Sequence, residues 1–252
     1  MKDNAVYYAL GVLICAVIAV VLYSVYGGVK YDSATFCPLN GKYPRTAIII
    51  DATDSLNAGH RKSLQMEMDS LRTRLSRHEW LGLYVLDEGE LNLPKPLIAL
   101  CNPGNENTCN PAIAHCEEAE RIYQKDFAAP MKEQIKRLTS LPEKSESPIF
   151  EMLEAVVRDG HFDKSQKRRL IVVSDMLHHT REYSHYGDNI DFAVWQDTDY
   201  ARQFLKLPLN GADVEIWYIK RAPASLQPRG HVEFWRDYFN TVGATVREVR
   251  PL

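Results

Sequence analysis

Apolar residues in this chain occur in two patterns, short continuous runs and longer stretches with helical spacing. Residues 47–50 are all apolar, include three isoleucines, and lead directly into Asp51. Residues 170–173 form a second run of branched apolar residues that leads into Asp175. Short runs of this kind are typical of strands buried on both faces of a sheet. Between them, leucines and methionines spaced three or four apart predict a helix over residues 60–80.

Strands and helices are predicted in alternation along the rest of the chain. The predicted strands cover residues 46–51, 81–86, 97–101, a run from Leu170, 214–219 and 245–249. The predicted helices cover residues 60–80, 117–138 with an interruption near Pro130, 149–157, 199–205 and 231–240, the last one ended by Gly243. Such alternation predicts an α/β fold, with a Rossmann-like, mostly parallel central sheet flanked by helices over residues 46–252.

The N-terminal segment is apolar enough to suggest a membrane anchor. Residues 5–26 carry no charged side chain, and tyrosines stand near both ends of the run. A run of this length can span a bilayer as a helix, and interfacial aromatics are common at its ends. A cleavable signal peptide is the alternative, but residues 23–28 offer no small-x-small cleavage site. We expect residues 1–27 to be an uncleaved transmembrane signal anchor and residues 28–45 a juxtamembrane linker.

Four cysteines follow the apolar segment, namely Cys37, Cys101, Cys109 and Cys116. An even number suits disulfides in an oxidising compartment, although the basic residues after the span would favour a cytoplasmic domain. Free thiols or a zinc site with His115 are the alternatives, but the paired spacing of zinc sites is missing. We expect one local bridge among the last three cysteines and one from Cys37 to the remaining one. The domain is therefore expected outside the cytoplasm, periplasmic in a bacterium, with a cytoplasmic N-terminus.

Oxygen-bearing side chains follow the first buried strand. Asp51, Thr53 and Ser55 alternate in the loop after it, and Asp175 ends the second strand. If the two strands are parallel neighbours, these side chains emerge at the same edge, where α/β sheets bind ligands. Hard oxygen donors suit Mg²⁺, Mn²⁺ or Ca²⁺. The simpler alternative is that each aspartate caps a turn or helix.

These residues resemble the motifs of the von Willebrand factor A-type (vWA) domain. The segment Asp51-Ala52-Thr53-Asp54-Ser55 is similar to the family's Asp-x-Ser-x-Ser, with threonine for the first serine. Ser147-Pro148-Ile149 is similar to its Thr-Pro-Leu loop, and Ser174-Asp175-Met176 to its Thr-Asp-Gly. The resemblance implies a metal-ion-dependent adhesion site (MIDAS). Its metal ligands here would be Asp51, Thr53, Ser55, Ser147 and Asp175.

In the family, a metal ion held in this way has an open position that attracts an acidic side chain of a partner protein. The resemblance therefore implies a membrane-anchored protein-binding module that uses Mg²⁺, or Mn²⁺ or Ca²⁺, and has no catalytic turnover. The partner would be a protein that presents an Asp or Glu to the metal. Nucleic acid is not implied, because the net charge is −3 and no strongly basic surface is indicated.

Three alternatives stay open. His178, His179 and His185 follow Asp175 and could recruit zinc, although such histidines are more often surface loop residues. A metal-dependent phosphoesterase or nuclease would use Asp51, Asp54 and Asp175 as ligands. A scaffold with the same fold could also bind its partner without metal. The sequence contains no Ser/His/Asp triad and no Gly-rich nucleotide loop.

Overall fold

The six-stranded sheet at the centre of the molecule is mostly parallel. The computed structural model describes residues 2–26, 29–53, 55–86, 95–112, 114–138, 144–162, 165, 167–187 and 190–252, with the backbone alone for residues 2–6 and 23–26. The strands are β1 (Arg45–Asp51), β2 (Trp80–Leu86), β3 (Ile98–Cys101), β4 (Arg168–Ser174), β5 (Asp213–Tyr218) and β6 (Thr245–Pro251). They lie in the order β3-β2-β1-β4-β5-β6. Only the edge pair β2–β3 is antiparallel among these described pairings.

Helices cover both faces of the sheet. The helices of the described chain are α1 (Lys2–Tyr26), whose described side chains are exposed and lie outside both core layers, and α2 (Ala58–Arg74), α3 (Cys116–Ile122), α4 (Ala129–Leu138), α5 (Ile149–Arg158), α6 (Phe192–Trp195), α7 (Ala201–Phe204) and α8 (His231–Thr241). Because side chains of a strand alternate between faces, Ile49 packs in one core layer with residues of α5, α7 and α8. Ile48 and Ile50 pack in the other, with α2 and α4. The predicted mostly parallel sheet flanked by helices is confirmed.

The helix predicted over residues 60–80 is shorter than its spacing suggested. It ends at Arg74, because Leu75 leaves helical dihedral angles (φ −64°, ψ 127°). The Ser76 amide then donates a 2.9 Å hydrogen bond to the carboxylate of Glu79. This side-chain bond stabilises a tight turn, so that β2 can begin directly after Glu79.

The helix predicted over residues 117–138 takes an unexpected form at Pro130. The chain stays helical from Cys116 to Leu138, with a π-helical stretch at Tyr123–Ala128. Within the stretch, the Ala129 amide bonds the carbonyl of Gln124, five residues earlier. A proline ring normally collides with the carbonyl four residues before it. The widened π turn relieves that crowding, so Pro130 does not break the helix.

The cysteines pair as the sequence predicts. One disulfide joins Cys37 to Cys101 across 64 residues, and a local one joins Cys109 to Cys116. The longer bridge ties part of the segment expected to be a linker to β3, and the Cys101 amide also bonds the Thr35 carbonyl at 2.8 Å. A covalent cross-link over this many residues reduces the freedom of the unfolded chain.

The apolar N-terminal segment is helical, as α1. Among the residues that the structure describes, no helix combines the length and apolarity needed to cross a membrane. The transmembrane anchor at residues 1–27 stays a prediction from the sequence.

Candidate functional site

Parallel pairing of β1 and β4 brings the two motif aspartates to one edge of the sheet. In this pair Ile50 lies opposite Val173, so Asp51 and Ser174 end their strands at the same level. Asp175 follows directly. We call the cluster formed here by Asp51, Thr53, Ser147, Ser174 and Asp175 the oxygen site; all five residues are buried. It lies at the carboxyl end of the central strands, where α/β sheets generally bind ligands.

Asp51 is the acceptor around which the site is built. Its Oδ1 accepts hydrogen bonds from the Thr53 hydroxyl at 2.6 Å and the Thr53 amide at 3.0 Å. Its Oδ2 accepts from the hydroxyls of Ser174 at 2.7 Å and Ser147 at 3.1 Å. A carboxylate offers about four acceptor positions, and all are used here. Since the hydroxyls give their protons to Asp51, the lone pairs of Thr53 and Ser147 are left for another ligand.

Backbone contacts hold Ser147 against this edge. Its amide donates to the His179 carbonyl at 2.8 Å, and the His179 amide donates back to the Ser147 carbonyl at 3.0 Å. Nearby, the Lys144 amide donates to the Thr53 carbonyl at 2.7 Å. The loop that precedes α5 is therefore fastened to the loops after β1 and β4. The predicted meeting of the three motifs is seen in the structure for Asp51, Thr53, Ser147 and Asp175.

Asp175 lies in a different electrostatic setting from Asp51. Its Oδ1 accepts from the Leu177 amide at 2.9 Å, and its Oδ2 accepts from Nε of Arg221 at 2.7 Å. Burial and the neighbouring charge of Asp51 raise the pKa of Asp175 to about 7, although Arg221 acts in the opposite direction. Two carboxylates sharing a poorly hydrated edge thus leave negative charge that a cation would stabilise.

Ser55 and Asp54 complete the first motif. Ser55 is exposed, and its backbone carbonyl accepts a hydrogen bond from Nη1 of Arg221 at 3.1 Å. Its predicted role as a hydroxyl ligand is not tested by these contacts. Asp54, which the enzyme alternative would use, lies outside the described residues.

Sequence reasoning missed three residues of this edge: Ser174, Arg221 and Gln227. The Ser174 contact could have been found from the sequence, because parallel neighbours that end at one level place Ser174 beside Asp51. Arg221 and Gln227 come from the loop after β5. Gln227 donates to the carbonyls of Asp175 and Ile219, both at 2.9 Å, and accepts from the Arg221 amide. No motif spacing marked these two residues, since only the folded loop brings them to Asp175.

The donor set fits a hard divalent cation. Thr53 and Ser147 offer hydroxyl lone pairs next to Asp51, and Asp175 offers a carboxylate. Oxygen ligands of this kind suit Mg²⁺ or Mn²⁺, which retain several waters. The described residues contain no group of three His, Cys, Asp or Glu side chains placed to hold a metal. A metal site built from the described residues would therefore include hydroxyl donors, and Oδ2 of Asp175 already accepts from Arg221.

Met176 connects the oxygen site to the aromatic core. It takes a left-handed conformation (φ +62°), which glycine adopts more easily in the related motif. Its buried carbonyl accepts from Trp235 Nε1 at 2.9 Å and lies within hydrogen-bond distance of His231 Nε2, at 3.0 Å, and His185 Nδ1, at 3.2 Å. A left-handed conformation costs roughly 1–2 kcal/mol for a residue other than glycine. These hydrogen bonds offset that strain and fix the loop beside Asp175.

The buried histidines His178, His185 and His231 form what we call the histidine cluster. His178 and His185 are at most 1% exposed, so their interpretation as surface loop residues is wrong. Burial lowers the pKa of His178 to about 3 and that of His231 to about 4, and it lowers the pKa of His185 well below its ordinary value. All three are therefore neutral at pH 7.

Both nitrogens of His178 have protein partners. The Ile149 amide donates to Nδ1 at 3.1 Å, so Nε2 carries the proton and bonds the Tyr200 hydroxyl at 2.8 Å. Tyr200 in turn donates to Glu151 at 2.7 Å. His179 lies elsewhere, with Nδ1 at 2.8 Å from the Ser184 hydroxyl. The three histidines considered as zinc ligands thus do not converge on one point.

The sequence matches no protein-family model and no curated protein. Among solved structures, it is similar to the SpRpn10 VWA domain (TM-score 0.42, 11% identity, 83% of this chain and 88% of that one). It is also similar to a von Willebrand factor type A protein from Catenulispora acidiphila (TM-score 0.42, 15% identity, 83% and 39%). A third neighbour is the human COPII-coat protein Sec24c (TM-score 0.45, 12% identity, 83% and 29%).

Two of these neighbours are vWA domains by name. The chain spans less than half the length of the Catenulispora and human proteins. At these identities and scores the likeness concerns the fold and carries no argument about function.

Proposed function

We propose that this protein is a vWA-like protein-binding module that engages a partner protein at the oxygen site. A divalent cation, Mg²⁺ or Mn²⁺, would be held there by Thr53, Ser147 and Asp175, with Asp51 orienting the hydroxyls and Ser55 as a further ligand. The cation would supply an open coordination position for an Asp or Glu of the partner. The proposal describes binding without catalytic turnover.

One observation carries this proposal. The hydroxyls of Thr53 and Ser147, which are 94 residues apart in the chain, both donate to the carboxylate of Asp51. A structural cap would need one such contact, whereas this arrangement directs several oxygens from separate loops to one point. The hydroxyls keep lone pairs, so Thr53 and Ser147 can bind a cation while they still donate to Asp51.

The direct test is calorimetric titration with Mg²⁺ and Mn²⁺, which compares the metal affinity of the unchanged chain with that of Thr53→Val. This change removes a hydroxyl and nearly preserves shape, so metal affinity should fall about 10–100-fold, the range typical for lost site contacts. Thr73→Val is the matched control, because the Thr73 hydroxyl bonds only locally within α2, to the carbonyl of Ser70. Equal affinity in all three proteins would contradict the proposed site.

Partner binding requires its own readout. Capture of the partner protein from membrane extracts by this chain should weaken when a chelator is added, and it should also weaken when the chain carries Thr53→Val. The ion pair between Arg221 and Asp175 favours a second candidate, a vWA-like scaffold that binds its partner without metal. Capture that is insensitive to both treatments would favour that candidate. Metal-dependent hydrolysis of a phosphoester, lost in Thr53→Val, would instead favour the phosphoesterase or nuclease alternative.

The proposal also includes a location. Disulfides are typical of oxidising compartments, and the two bridges here favour a domain outside the cytoplasm, periplasmic in a bacterium. Residues 1–27 would be the membrane anchor, with the N-terminus in the cytoplasm. After reduction, a membrane-impermeant thiol reagent should label the domain in intact cells. Labelling only after lysis would contradict this location.

A further inference from the structure

Arg221 provides a positive charge inside the candidate site. Its Nε donates to Asp175 at 2.7 Å, and its Nη1 donates to the Ser55 carbonyl at 3.1 Å. The Asp175 side chain is 2% exposed and the Arg221 side chain 19% exposed, so solvent screens this pair less than a surface pair. The guanidinium thus joins the loops after β1, β4 and β5 at the point where a metal would need the same carboxylate.

The backbone around Arg221 is fixed separately from its side chain. The Arg221 amide donates to Gln227 Oε1 at 2.9 Å, and Gln227 Nε2 donates to the carbonyls of Asp175 and Ile219. These bonds hold the loop after β5 against β4 without using the guanidinium. The side chain can therefore leave Asp175 while the loop keeps its place.

We propose that Arg221 is the resident cation of the oxygen site and competes with a divalent cation for Asp175. This inference rests on the proposed function, because it concerns the same carboxylate. Oδ1 of Asp175 accepts from the Leu177 amide and Oδ2 accepts from Arg221, so a divalent cation bound to this carboxylate would lie beside the positive guanidinium. Metal binding then breaks the contact between Arg221 and Asp175 and leaves the guanidinium charge beside the partner-binding surface.

Competition of this kind lowers the apparent metal affinity by the fraction of molecules in which Arg221 is detached. The test is Mn²⁺ titration of the full-length chain, by calorimetry and by the metal-induced rise in melting temperature. Arg221→Gln should bind Mn²⁺ about 10–100-fold more tightly than the unchanged protein, as expected if Arg221 is detached in about 1–10% of molecules. Arg221→Lys keeps the charge without the two-pronged geometry and should fall between the two.

Arg229→Gln is the matched control, because Arg229 is an exposed residue in the same loop and loses the same charge. It should leave Mn²⁺ affinity within about twofold of the unchanged protein, since exposed charges are screened by salt. Combining Arg221→Gln with Asp175→Asn should abolish the increase in Mn²⁺ affinity that Arg221→Gln alone produces. An equal gain in Arg229→Gln would mean a general charge effect and would overturn the inference.

The remaining outcomes separate this inference from the proposed function. If the unchanged protein binds Mn²⁺ and Arg221→Gln binds it equally, the metal site stands and competition is wrong. If only Arg221→Gln binds Mn²⁺, competition is supported, and the unchanged protein uses Arg221 in place of metal. If neither binds, both ideas fail, because removing the guanidinium has not opened a metal site.

Discussion

Two polar clusters with opposite chemistry each include a residue of the segment just after β4, Asp175 in one and His178 in the other. In the oxygen site, hydroxyls donate to Asp51 and a guanidinium pairs with Asp175. In the histidine cluster, His178 and His185 lie among aromatic rings, with Phe150 only 4.8 Å from His178 between ring centroids. The first cluster keeps charge at the edge of the sheet, whereas the second is held neutral within the core.

The difference shows that sequence proximity to a motif does not decide the role of a polar residue. Asp175 and His178 are three positions apart, yet one pairs with a cation and the other with a tyrosine hydroxyl. Met176 makes the separation possible, because its left-handed backbone directs its carbonyl to the histidine cluster while Asp175 faces Arg221. A cation site and a core network can therefore share one loop.

Phe150→Ala should have the largest effect on stability. Phe150 is fully buried and stacks on Trp195 and Trp235, with centroids 4.6 and 4.8 Å away. Truncation should lower the free energy of unfolding by about 3–5 kcal/mol, through lost burial and a cavity. Urea unfolding measures this, with the exposed Val194→Ala as the control. A loss below about 1 kcal/mol would mean that the aromatic rings around the histidine cluster are not a packed core.

The pH dependence of stability should differ between the clusters. The folded pKa values of His178 and His231 lie below the ordinary value, so the unfolded chain binds more protons between about pH 3 and 6.5. The contribution of these neutral histidines to the free energy of unfolding is complete above about pH 6.5. It is lost as pH falls, by roughly 1.4 kcal/mol per pH unit for each histidine. Asp175 has the opposite effect. Its pKa is raised in the folded protein, so its contribution to the free energy of unfolding is lost as pH rises from about 4 to 7.

Urea unfolding at pH 5, 6 and 7, in the presence of chelator, measures these slopes. The slope of the unfolding free energy against pH reports the number of protons taken up on unfolding. His178→Gln should lower that number by about one, and Asp175→Asn should raise it by about one. His179→Gln is the control, because His179 is only half-buried and its ring bonds the Ser184 hydroxyl. Equal slopes in His178→Gln and His179→Gln would contradict a neutral, buried His178.

Thr53→Val should have the smallest effect on stability. It removes one hydrogen bond to Asp51, and a typical hydrogen bond contributes about 1 kcal/mol. The same variant is expected to lose most of its metal affinity, so binding and stability separate at the oxygen site. A stability loss near that of Phe150→Ala would mean that the hydroxyl is a structural element of the core and would remove the contrast between the clusters.

The sequence by itself determined the layers of the fold and much of the candidate site. Runs such as residues 47–50 are typical of strands buried on both faces, and their alternation with amphipathic helices predicted the parallel sheet. The position of Asp51 and Asp175 at one edge followed from parallel pairing alone. The formation of two disulfides was also predicted, from the even number of cysteines, whereas the choice of Cys101 as the partner of Cys37 was left open by the sequence.

Only the tertiary structure decided what surrounds Asp175 and where the histidines go. Arg221 reaches Asp175 across 46 residues, and His231 reaches Met176 across 55, through loops whose course no local pattern specifies. Local periodicity reports which face of an element is buried, but it carries no information on which distant loop covers that face. Burial then shifts the protonation of each group, because desolvation lowers the pKa of the histidines and raises the pKa of Asp175, an effect that Arg221 opposes in part.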